Sequence, residues 1–151
     1  MSGIDIAFTL ISGVLGLFIG SFLNVLIYRI PNGEDFVRGR SHCPKCGHDL
    51  AALDLVPVFS FLALGRRCRY CKAPISGRYA FVELLTGGLF AISWILTRGI
   101  SPWLALPLDA FCASALVALF ILHDGHRPPK ALYLVLAGFG VLVASWALFT
   151  W

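Results

Sequence analysis

With 151 residues, 58% of them hydrophobic, and a mean hydropathy of +0.83, the chain lies well above the apolar content of water-soluble domains of its size. Its formal charge of +4 sits between apolar runs and reads as a topology signal. A nucleic-acid surface is disfavoured, because the basic stretch also carries Glu34, Asp35, Asp49 and Asp54 and holds no nucleic-acid-binding motif.

Four runs, 6–28, 79–97, 103–122 and 131–149, each approach the twenty or so apolar residues that a helix needs to cross a bilayer, and none has Lys or Arg in its interior. The first lacks the basic start and small-residue cleavage pattern of a secretory signal, so it is expected to remain as a helix. The fold class predicted is an all-α membrane protein of about four transmembrane helices with a cytoplasmic loop, 29–78, between the first two; residues 1–28 form the first span and 79–151 the other three. Nine of the twelve Lys and Arg fall in 29–78, Arg127 and Lys130 follow the third run, and only Arg98 lies on the opposite side. The positive-inside rule then makes both basic loops cytoplasmic and the N-terminus external, in the inner (plasma) membrane.

The first run carries Ser12, Gly16 and Gly20 at four-residue steps, followed by Asn24 and Tyr28. Such a stripe permits close helix contact, either between copies or within the chain, and three further helices favour the internal partner.

In the loop, Cys43, Cys46, Cys68 and Cys71 form C-x2-C-x21-C-x2-C. A reducing compartment disfavours lasting disulfides, and two tight thiolate pairs suit a closed tetrahedral zinc site with no position left for substrate. Pro44 stiffens the first turn, Gly47 lets it bend, and Arg66, Arg67, Arg69 and Lys72 are expected to offset thiolate charge; free or redox-active thiols are the rival reading. Cys112, inside the third run, is expected to be a small buried apolar residue. Between the pairs, 50–65 is apolar but interrupted by Asp54 and Pro57, too short to span, and expected to lie along the membrane surface.

Glu83, early in the second span, is an ionisable group at the membrane edge; a functional role and a bland one, as a solvated or Arg78-paired carboxylate that seats the helix, are both open. Asp124, between His123 and His126, stands where the third run meets water and proton transfer is feasible, although a plain polar turn with Pro128 and Pro129 reads better than a second metal site. A transporter has little support, since Asp109 is the sole acidic residue in the last two spans.

The segments GSFLNVLIYRIP (20–31), SHCPKCGHDL (41–50) and LDLVPVFSFLALGRRCRYCKAPISGRYAFVELLTG (53–87) resemble, in order, the N-terminal region of the type IV prepilin peptidases, over about 18–90. These are bifunctional inner-membrane enzymes of type IV pilus and type II secretion systems that clip pilin-like precursors and N-methylate the new terminus. The resemblance implies pilin-like precursor proteins as partners beside the lipid bilayer, structural zinc on the four cysteines, S-adenosylmethionine as methyl donor, and Asn24, Arg78 and Glu83 within the shared pattern.

Beyond 90 the resemblance fades. The family's aspartic-peptidase pair begins with an Asp seven residues before a proline; aligning Pro129 puts Leu122 there, so Asp124 fits only with two residues lost. No acidic residue follows Asp124, and no G-x-G-D supplies the second aspartate. The expectation is a prepilin-peptidase-like protein that retains the methyltransferase-associated region but does not cleave alone, with a second membrane subunit carrying the missing aspartate as one completion. The alternative is a non-catalytic zinc-containing binding or assembly protein for pilus or type II secretion components.

Overall fold

The computed structural model describes residues 2–100 and 104–149, with side chains to Val141. Helix α1 spans Gly3–Asn32, thirty residues and about 45 Å at 1.5 Å per residue, so it outreaches a bilayer core of about 30 Å. Ser2 and Asp5 cap its start reciprocally, Ser2 N–H donating to Asp5 Oδ2 (2.8 Å) and Asp5 N–H to Ser2 Oγ (3.2 Å). Gly33, at φ 66°, ends it in the left-handed conformation.

A 3₁₀ turn at Ala52–Leu55 and the short helix α2, Phe59–Ala63, follow in the loop. Helices α3 (Arg78–Thr97), α4 (Ala105–His123) and α5 (Lys130–Phe149) complete the chain. Among the described residues, β pairing is confined to two isolated bridges, His42 with Asp49 and Arg67 with Pro74.

Helices α1, α3 and α4 are each long and apolar enough to cross a membrane. The first residue of the expected third span, Trp103, lies outside the described residues. The expected fourth span coincides with α5, whose described side chains, Lys130–Val141, make an apolar stretch shorter than a span; the remainder lies outside the described side chains.

The stripe on α1 faces α3. A Cβ on Gly16 would stand 2.8 Å from Gly87 Cα, and one on Gly20 2.7 Å from Glu83 Cα, so these glycines set the interhelical distance. Ser12 Oγ donates to Phe90 O (2.9 Å) and Asn24 Nδ2 to Tyr79 O (3.0 Å), closing the polar ends of the same seam. The stripe is therefore an internal packing face. Helix α4 covers the pair through Leu116, Val117 and Ile121, which pack with Leu23, Ile27 and Val82 in one core. The α1 start and α3 end meet at the pole away from the cysteines, where Arg98 pairs with Asp5 (2.7 Å) and Phe8 stacks on Trp94. Asp109 is buried in α4 and accepts a hydrogen bond from Ser93.

Candidate functional site: a four-cysteine module above a carboxylate-lined cavity

The two C-x-x-C turns are copies of one another at an offset of 25 residues. Cys43 N–H donates to His48 O and Cys68 N–H to Ala73 O (both 2.9 Å), Gly47 N–H returns to Cys43 O (2.8 Å) and Lys72 N–H to Cys68 O (3.0 Å). Leu50 N–H to Ser41 O and Ile75 N–H to Arg66 O close each turn at 2.8 Å. The residue after the second cysteine is left-handed in both, Gly47 at φ 70° and Lys72 at φ 59°. Glycine takes that conformation freely and lysine does not, so the second turn is held by its surroundings.

Together the turns bring the four Sγ atoms within 4.8 Å of one another, with Cys43 Sγ and Cys71 Sγ 3.9 Å apart. Tetrahedral zinc with bonds of about 2.3 Å requires sulfur–sulfur separations near 3.8 Å, so the donor set fits a tetrahedral ion. The thiols are inequivalent. Burial pushes Cys43 up, but the N–H groups of Cys46 and Lys45 and the neighbouring thiols outweigh it and bring it down to about 7. Cys71 receives the Ala73 N–H, yet desolvation and the surrounding thiols push it up to about 11. A cation bound among the four sulfurs would draw all of them into the thiolate form.

Two of the four basic residues expected to offset sulfur charge, Arg69 and Arg66, are engaged elsewhere. Arg69 Nε donates to Asp54 Oδ1 (2.6 Å), and Tyr70 Oη donates to Asp54 Oδ2 (3.2 Å). The Asp54 side chain is 3% exposed; burial alone would raise its pKa, but the Arg69 guanidinium holds it below the usual carboxylate range. Arg66 lies over the Phe61 ring instead. Asp54 thereby ties the segment between the turns to the second turn.

Beneath the module lies a cavity of about 360 Å³. Cys43 and Cys68 contribute to its roof, Phe61 and Tyr79 to its walls, and Asn24 and Glu83 to its floor on the paired helices. Glu83 is buried, and its Oε2 accepts the Val58 N–H at 2.7 Å, so the Arg78-paired reading of Glu83 does not hold. Asn24, fixed through Nδ2 to Tyr79 O, lines the same space.

Asp124 does not join this cavity. It caps α4 and receives both guanidinium nitrogens of Arg78, at 2.9 and 2.7 Å, while Arg78 also lies over the Phe120 ring. The guanidinium, with His123 beside it, holds the Asp124 carboxyl below the usual range. Arg78 is thus engaged at the α3–α4 junction, away from the cavity. Sequence reasoning also missed Arg29, which is buried and donates to the carbonyls of Asp35, Gly39 and Arg40, folding the approach to the first turn. The only signal was a basic residue directly behind an apolar run and ahead of Pro-Asn-Gly.

Residues 14–99 match the family described as the bacterial peptidase A24 N-terminal domain. The prepilin leader peptidase/N-methyltransferase of Myxococcus xanthus is 60% identical over 77 residues, 51% of this chain and 23% of that protein. The proteins of the same name from Burkholderia pseudomallei strain 1026b and Pseudomonas aeruginosa are 34% and 32% identical over 98% and 95% of the chain, and 54% and 57% of their own lengths. The chain belongs to the bacterial peptidase A24 N-terminal domain family, to whose range the relatives named prepilin leader peptidase/N-methyltransferase also align. It spans about half the length of the full-length curated relatives it matches. No solved structure matches it.

Proposed function

We propose that the chain is an inner-membrane, prepilin-peptidase-like protein that receives type IV pilin-like precursors at the cytoplasmic face and retains the N-methylating half of the family's chemistry. The observation that carries this reading is the buried Glu83 carboxylate on the floor of a cavity beneath the cysteine module, inside the stretch that matches the family domain. A neutral primary amine must be held in line with a methyl donor, and a carboxylate at the membrane edge both positions the amine and takes its proton. Glu83 is an acceptor suited to an amine, Asn24 lines the same space, and the apolar walls suit the side chain beside it. S-adenosylmethionine, when bound, supplies the methyl group on a sulfonium; the cavity's size and acceptor lining fit such a cation.

Zinc on Cys43, Cys46, Cys68 and Cys71 is assigned a structural role, since four sulfurs leave no open position for substrate. Cleavage by this chain alone is not proposed, because both Asp124 oxygens are bound by Arg78. A second membrane subunit bearing an aspartate would complete the pair.

The test is methyl transfer to a peptide with an N-terminal Phe. Glu83→Gln should reduce the rate by about 100-fold or more, the scale of a lost general base, while metal content stays unchanged. Wild-type activity in that variant rejects the role, and no transfer by the wild-type protein in the presence of S-adenosylmethionine leaves the binding and assembly reading in its place.

A further inference from the structure

Residues 53–67 cross from the first cysteine turn to the second and carry large apolar side chains outward. Leu53, Phe59 and Leu62 are 73%, 71% and 63% exposed, more than scattered surface apolars explain, because they follow one another along a single short segment.

The height of this segment against the helices is fixed by one bond, from Val58 N–H to Glu83 Oε2. Glu83 lies five residues into α3, about 7.5 Å along a helix that is long and apolar enough to span. The segment therefore runs beside the second turn of a spanning helix, at the depth where headgroups meet acyl chains. The chain reaches that depth through strain. Val58, a β-branched residue, stands at φ 61° with Phe59 N–H folded back to Pro57 O at 2.5 Å, a γ-turn that persists only where its surroundings hold it. Asp54 on Arg69 anchors the other end to the second cysteine turn. Arg66 and Arg67, both exposed, follow directly and give the segment a cationic margin.

We infer that residues 53–67 are an in-plane membrane anchor: Leu53, Phe59 and Leu62 enter the acyl boundary, and Arg66 and Arg67 meet the phosphates of anionic lipids, seating the cysteine module on the bilayer. The occupant is lipid because the bond to Glu83 holds Val58, directly before Phe59 and α2, beside the second turn of α3, and because exposed apolar side chains next to paired arginines complement an anionic headgroup layer. The inference rests on the helices spanning the membrane and is independent of methyl transfer.

The test uses the full chain in nanodiscs containing phosphatidylglycerol, with photoreactive p-benzoylphenylalanine in place of Phe59, Leu62 or Val37, the last being 78% exposed in the stretch before the first cysteine turn. Each position is already exposed, so folding is preserved, and an unchanged thermal midpoint verifies it. Lipid adducts at 59 and 62 and none at 37 are the expected result. Adducts at 59 and 62 to a second copy or an added precursor peptide, or to nothing, overturn the proposal, as do equal lipid adducts at all three positions.

Discussion

Arg78 donates both guanidinium nitrogens to Asp124 and rests on Phe120, joining the start of α3 to the end of α4. Because the pairing depresses the Asp124 pKa, its contribution is complete above the ordinary carboxylate value of about 3.9 and fades as pH falls through the lower folded value. Asp124→Asn should therefore lower stability at pH 7 by about 1 kcal/mol or less, the scale of a partly exposed ion pair, and the difference from wild type should shrink as the pH falls through the lowered folded value. Thermal denaturation across pH measures this; a difference that persists in acid contradicts it. Residues of this kind were half legible. The cysteines announced themselves by spacing, whereas Asp54 read only as an interruption in an apolar run and Arg69 only as loop charge. Their pairing joins positions fifteen apart through a turn, and nothing in local pattern encodes it.

Among the elements, α1 and α3 depend on absent side chains. Gly20 faces the backbone at Glu83 Cα, which cannot give way as a flexible side chain would. Gly20→Leu should cost about 1–3 kcal/mol, the range of overpacking a close interface, and should disturb Glu83 in the same step. A detergent-based thermal shift checks the first effect, and loss of methyl transfer at permissive temperature checks the second; an unshifted midpoint would mean the helices do not pack through this stripe. The stripe and the three spans were readable because periodicity and apolar length are local properties. The extension of α1 to Asn32 was not. The apolar run stops at Tyr28, and the helix continues until Gly33 supplies the left-handed end. The γ-turn at Val58 was equally invisible, since a β-branched residue is the last type that sequence pattern would place at positive φ.

At the scale of the whole molecule, the cysteine module has little apolar core of its own and is held by three ties: Arg29 into 35–40, Asp54 onto Arg69, and Val58 onto Glu83. The last two make the segment between the turns a link from the sulfur cluster to the cavity floor, so losing the metal should loosen the cavity while leaving the helices intact. The central claim is that the four sulfurs bind one zinc ion. Elemental analysis of the full chain, purified without added metal, tests it most directly. One zinc per chain in the wild type and none in Cys46→Ser/Cys71→Ser is the predicted result, whereas a zinc-free wild type, or a double variant that keeps its zinc, contradicts the account.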